Sequence, residues 1–204
     1  MATLIRDHEI EQRLIARRRR LGQDKFDEIW NGVYVMAPMA NDEHQDIVGG
    51  LDALFREVVQ SEQLGVTRPG VNVSDRRIGW QKNFRCPDVA VFLKETQAIN
   101  CDTHWFGGPD FAVEVVSPRE KVRKKLRFYA KVGTRELLVL DRAPWCLSLY
   151  RLADGELQLA GTSAVPASEW LASSVLPLSF RLIDGVERQR IEARHADGQQ
   201  SWIV

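Results

Sequence analysis

Cysteine is scarce in this chain: Cys86, Cys101 and Cys146 are the only three among 204 residues, and no two form a Cys-x-x-Cys pair. That spacing excludes a zinc ribbon or a disulfide framework, both of which need closely paired or evenly numbered cysteines. Long apolar runs are missing as well. No stretch approaches the roughly eighteen residues that cross a bilayer, and the first residues are charged instead of a basic segment leading into an apolar one. A cytoplasmic protein without membrane contact is therefore expected. An excess of one charge is also absent, because Lys plus Arg and Asp plus Glu number 28 each. No global field draws the chain to nucleic acid, so any such attraction must be local. Two basic runs qualify, residues 17–20 and the set Lys121, Arg123, Lys124, Lys125, Arg127 and Lys131. Each reads equally well as a solvated helix face.

What is present is ordinary globular material, 44% hydrophobic and 27% charged. A chain of this length buries roughly 70% of the surface exposed when unfolded. Residues 1–204 are expected to form one domain: a helical extension over 1–24, a core over 25–142 and a β-rich extension over 143–204.

Along the chain, Ile10, Leu14 and Leu21 spaced among charges predict an amphipathic helix over 7–21, stopped at Gly22. Residues 26–36 predict a hairpin around Asn31-Gly32, the dipeptide that accommodates two positive φ angles, with Glu28 on its first arm. Asn41 or Asp42 caps a helix to about residue 61, with Ile47, Leu51, Leu54, Phe55 and Val58 on one face. Strands are expected over 66–73 and 87–93, joined by a polar connection over 74–85. A loop over 96–108 precedes an apolar strand over 111–116. Ser117-Pro118 ends that strand, and a basic helix over 119–131 stops at Gly133 before a buried strand over 136–140. Strand, helix and strand in that order predict a parallel pair. A peripheral hairpin around Asp154-Gly155 and a last strand over 175–183 complete an α/β fold with a mixed central sheet.

Two acidic residues stand out because their surroundings are apolar: Asp88 at the start of one strand and Glu114 inside the next. A carboxylate in such a strand is costly unless an arginine partner or a divalent metal compensates it. Period two places Ala112 and Val116 on the face of Glu114 and turns Val113 and Val115 to the other. Two carboxylates on adjacent strands suit magnesium, which takes one or two carboxylates with waters and a substrate phosphate. On the following helix Lys121 and Lys125 share a face, with Leu126 and Tyr129 marking the packed side. A lysine there can orient the attacking water or offset charge on a phosphate. Ser117 lacks a Gly-x-Ser-x-Gly elbow, and the six tryptophans are not spaced as a base-stacking platform. Tyr129, Trp30, Trp80 and Trp145 read as packing residues, and His8, His104 and His195 carry no metal-ligand spacing.

Residues 86–91 (CPDVAV) and 111–118 (FAVEVVSP) resemble the two halves of the PD-(D/E)xK nuclease signature, with twenty-six positions from acid to acid. The likeness extends over residues 26–38 (FDEIWNGVYVMAP), Glu43-His44, residues 124–129 (KKLRFY), Gly133 and residues 136–141 (ELLVLD). Within that superfamily the chain is similar to the Uma family of restriction-endonuclease-like proteins, long catalogued as a domain of unknown function. The resemblance implies a restriction-endonuclease-like core of helix, three strands, helix and strand. It implies Mg2+ or Mn2+ held by Asp88, Glu114 and the carbonyl of Val115, with Glu28 completing the site. The superfamily lysine, two residues after the second acid, is replaced here by Val116, and Lys125 stands in for it, with Lys124 next in line. At Glu120 the family usually has aspartate.

The implied activity is metal-dependent hydrolysis of DNA phosphodiesters, by a homodimer if both strands of a duplex are cut. Competing readings are an inactive nuclease-fold binding or assembly module, favoured by neutral charge and Val116, and an RNA-directed nuclease. Glu28 could instead pair with an arginine near the hairpin. His44 reads either as a capping residue or as facing the substrate, as could Lys124 and Lys121. Glu114→Ala is expected to abolish cleavage and keep the fold.

Overall fold

The computed structural model describes residues 8–116 and 122–204. Helix α1 spans His8–Arg20 and ends before Gly22, whose φ of 63° suits a helix stop. Strands β1 (Glu28–Trp30) and β2 (Val33–Val35) form the expected hairpin, with Asn31 at φ 50° and Gly32 at φ 85°. Helix α2 (Asp42–Phe55) is capped by Asn41, whose side chain accepts from the His44 amide at 3.1 Å. It continues as a wider π-helical turn over Arg56–Ser61, which buries Val58 and Val59. Then come β3 (Gly65–Pro69), β4 (Val73–Ser74), β5 (Phe84–Arg85), β6 (Val89–Leu93), β7 (Ile99–Asn100), β8 (Trp105–Phe106) and β9 (Phe111–Val116). Helix α3 covers Val122–Val132, so the start of the predicted basic helix and the Ser117-Pro118 stop lie outside the described residues. Strands β10 (Glu136–Arg142), β11 (Trp145–Ala153), β12 (Glu156–Ser163), β13 (Leu171–Ala172), β14 (Leu178–Ile183), β15 (Arg190–His195) and β16 (Ser201–Ile203) complete the order.

The central sheet runs β12-β11-β10-β9-β6-β3, mixed as expected, with β9 and β10 parallel around α3 and the remaining pairs antiparallel. The β11–β12 hairpin is longer than predicted and extends this sheet directly. Two hydrophobic clusters occupy its faces. One gathers Ile47, Leu51 and Phe55 of α2 with Val113, Val115 and the C-terminal residues Phe180, Leu182 and Ile191. The other gathers Ala112 and Val116 with Phe128 and Tyr129 of α3. Alternation along β9 follows the predicted period, and Glu114 faces α3 between Ala112 and Val116. Among the described residues no helix is long and apolar enough to cross a membrane.

Two regions depart from the sequence expectation. The strand expected over 66–73 divides into β3 and β4, the connection over 74–85 and the loop over 96–108 supply β5, β7 and β8, and β4, β5, β7 and β8 join the β1–β2 hairpin in a second sheet ordered β2-β1-β5-β4-β8-β7. Beyond the predicted last strand, β15 and β16 extend a third sheet ordered β13-β14-β15-β16. Helix α1 also docks differently. Ile10 and Leu21 are 49% and 52% exposed, and only Ile15 is buried. Its anchor is ionic: Arg18 Nε and Nη2 each lie 2.6 Å from an oxygen of buried Asp27, which also accepts from Tyr34 Oη at 2.6 Å and the Ala37 amide at 2.7 Å.

Candidate active site

Three elements bring acidic residues to one end of the central sheet. Asp88 immediately precedes β6, and its backbone amide donates to the Val113 carbonyl of β9 at 3.1 Å. Its Oδ2 accepts from the Val115 amide at 2.7 Å, which pins the carboxylate to the neighbouring strand. Val113 O and Val115 N thus both point to the β6 edge, and the period of the strand leaves the Val115 carbonyl on that same edge. Glu114 projects from the adjoining position toward α3 and is buried, with 4% of its side chain exposed against 21% for Asp88. Asp88 therefore forms the mouth and Glu114 the floor.

Helix α3 supplies the counter-charge. Lys125 Nζ donates to Glu114 Oε2 at 2.8 Å and lies 3.5 Å from Glu28 Oε1. Lys125 thus points inward, as the sequence reading required of a lysine replacing the one missing at Val116. Lys124, one residue earlier and so about 100° around the helix, is exposed and does not share the inward direction of Lys125. Lys121 lies outside the described residues. Tyr129 Oη donates to Glu114 Oε1 at 2.5 Å, so this residue, expected only to pack, also bonds the buried acid.

Glu28 arrives from β1, held by the Trp30 indole at 2.6 Å and the Cys86 amide at 2.9 Å. It reaches the ammonium of Lys125, and among the described residues it makes no hydrogen bond to an arginine near the hairpin, the alternative partner considered for it. Behind it the Arg85 guanidinium lies 4.6 Å from the Trp30 ring centroid and 4.3 Å from that of Phe128, and donates to the Ile29 carbonyl at 2.9 Å. His44 presents Nε2 3.1 Å from Asp88 Oδ1, so its side chain stands at the mouth while its amide belongs to the helix cap.

Electrostatics reflect this crowding of acids. Burial pushes the Cys86 thiol up, and Glu28, Glu114 and Asp88 push it further, with Lys125 opposing. Cys86 is thereby kept a thiol and unsuited to nucleophilic attack. Tyr129 is raised well above the ordinary phenol by burial first and then by Glu114 and Glu28, which keeps it a hydrogen-bond donor. Burial lowers Arg85, with Glu28 the largest opposing influence.

Not every buried carboxylate here has this character. Glu136 on β10 is fully buried, yet it accepts from Arg151 Nε at 2.7 Å and from the Ser174 amide at 3.0 Å, with Ser173 bonded to it as well. That is the arginine solution to a buried acid, and it ties β10 to the segment before β14. Among the described residues Glu28 and Glu114 meet Lys125, and Asp88 beside them is partly exposed. Their donors are hard oxygens, which fits a magnesium-like ion. Among the described residues no three His, Cys, Asp or Glu side chains group as a metal cage. A cation here would take two carboxylates with backbone and water oxygens, the habit of magnesium.

Residues 14–184 match the Uma2 family, described as "Putative restriction endonuclease". The chain belongs to the Uma2 family. A solved structure from Anabaena variabilis ATCC 29413, described as a "putative nuclease belonging to DUF820", matches with a TM-score of 0.52 and 20% identity. The match covers 65% of this chain and 75% of that one, and it shows a shared nuclease-like fold. No curated protein matches the chain. Uma2 membership places the chain in a nuclease family of restriction-endonuclease type, and the likeness quoted from residues 26–38, 86–91 and 111–116 falls on the elements that converge at Glu114.

Proposed function

We propose that this Uma2 chain is a magnesium- or manganese-dependent endonuclease that hydrolyses DNA phosphodiesters, with residues 25–142 as the core of a single cytoplasmic domain. The observation that carries the reading is the seating of Lys125 against Glu114, with Asp88 bonded to the next residue of β9. A cation held by Asp88, Glu114 and the Val115 carbonyl would supply Lewis acidity toward the scissile phosphate and a more acidic water.

The protein's own groups do the remaining work. Lys125 is clamped between Glu114 and Glu28, and its ammonium orients the attacking water and offsets charge developing on the phosphate. Glu28, itself fixed by Trp30 and the Cys86 amide, keeps that ammonium at the site. The half-open Asp88 carboxylate and His44 line the approach, where His44 can donate to a phosphate oxygen. DNA is assigned as the substrate from the family description, and a homodimer from the two strands of a duplex. Sedimentation equilibrium reads the oligomeric state, and a monomer at micromolar concentration contradicts the dimer.

The test is cleavage of supercoiled plasmid with Mg2+ or Mn2+ beside an RNA duplex of matched sequence. Wild-type protein cuts the plasmid faster than the RNA, chelator stops it, and Asp88→Asn lowers the rate by about 10²-fold. Wild-type protein that binds duplex yet cuts it under neither metal would instead favour the inactive binding module. Faster RNA cleavage would transfer the same chemistry to RNA.

A further inference from the structure

Both oxygens of Glu114 are held by donors from a single helix. Lys125 Nζ donates to Oε2 at 2.8 Å, and Tyr129 Oη donates to Oε1 at 2.5 Å. Positions four apart lie on one helical face one turn from each other, so α3 presents its two donors as a pair. The terminal torsion of a glutamate is broad and easily rotated. A carboxylate held at one oxygen keeps that freedom, whereas donors at both oxygens fix its plane. Each carboxylate oxygen can accept a second partner, so the clamp orients the group without using up its capacity.

Packing alone does not account for the hydroxyl. Tyr129 is fully buried in the cluster that contains Ala112, Val116 and Phe128, where a phenyl ring would fill the same space. Its neighbour Phe128 is such a ring. The hydroxyl is directed at the one carboxylate of β9.

We infer that Tyr129 is a positioning residue of the active site, which together with Lys125 holds the plane of Glu114 in one orientation for a divalent cation. This assignment rests on the metal-dependent reading of the site. Tyr129 touches neither phosphate nor water in this scheme; it acts through Glu114.

The experiment is calorimetric titration of the full chain with Mn2+, comparing wild type with Tyr129→Phe at matched thermal stability. Tyr129→Phe is expected to weaken Mn2+ binding by about 10-fold, the usual effect of removing a group that orients a metal ligand. It is also expected to lower kcat for DNA while leaving KM unchanged. Mn2+ affinity in Tyr129→Phe within about twofold of wild type overturns the inference and leaves the metal-dependent reading standing. Absence of saturable Mn2+ binding in wild type overturns that reading and this inference with it.

A second measurement covers the case in which Tyr129→Phe does not fold. In wild-type protein carrying 13C at the tyrosine Cζ positions, saturating Mg2+ is expected to shift one of the three tyrosine resonances. The shift should persist in Tyr34→Phe and in Tyr150→Phe. Bound Mg2+ that moves no resonance, or moves only that of Tyr34 or Tyr150, overturns the inference.

Discussion

Glu114→Gln is expected to lower metal-dependent cleavage by about 10³-fold and keep the fold, whereas Glu114→Ala is expected to cost about 3–5 kcal/mol of stability. The amide of glutamine matches the site's bonding. Its oxygen can accept from Lys125 and its NH2 can donate to the Tyr129 oxygen, so only the negative charge is lost. Alanine removes both acceptors. It takes from the buried phenol the oxygen it donates to, and from the buried Lys125 ammonium a carboxylate partner, with Glu28 at the longer distance of 3.5 Å. The structure thus revises the expectation that removing this acid would leave packing undisturbed. Urea denaturation and single-turnover cleavage separate the two effects: glutamine loses activity with a near-normal midpoint, and alanine loses both. Glutamine that cleaves like wild type would remove Glu114 from the chemistry.

Lys125→Met is expected to fail on both counts, losing about 10²-fold or more in cleavage and about 3–5 kcal/mol in stability. Its stem fits the apolar wall of α3, but the two carboxylates of Glu28 and Glu114 would then face each other without the cation between them. Arg85 cannot take over, because its guanidinium is held between Trp30 and Phe128 and donates to backbone carbonyls. Lys125→Arg discriminates charge from shape. It restores the positive charge as a bulky planar fork in a space shaped for a point charge, so it should recover part of the stability and little of the cleavage. Equal recovery of both would mean that any cation in this place suffices.

Much of the central architecture was legible because its signals are local and strong. Asn31-Gly32 demanded positive φ at both positions and has it, at 50° and 85°. The six-residue apolar strand around Glu114, the basic helix and the next apolar strand could pack only as a parallel pair about a crossover, and β9 and β10 are parallel. The acids were legible too, since a lone carboxylate in an apolar strand conflicts with its surroundings. What escaped was carried by long-range partners. Strands β4, β5, β7 and β8 are two residues each and exist because they pair with one another, too short for any periodicity to register. The third sheet owes its place to Phe180, Leu182 and Ile191 packing on α2, a contact between distant segments. Tyr129 looked like a core aromatic and is one, and its hydroxyl partner lies fifteen residues upstream. The signal for it was nevertheless present: a tyrosine four residues after Lys125 shares that lysine's helical face and its target. In α1, spacing suggested an apolar stripe, but the Arg18–Asp27 pair determines how the helix sits.

Anomalous diffraction from crystals soaked in Mn2+ tests the central claim most directly. The account predicts one strong peak about 2.1–2.3 Å from oxygens of both Asp88 and Glu114, close to the Val115 carbonyl, that vanishes in Asp88→Asn crystals soaked in the same way. Peaks only elsewhere on the surface at saturating Mn2+, with none in contact with Asp88 or Glu114, would contradict it.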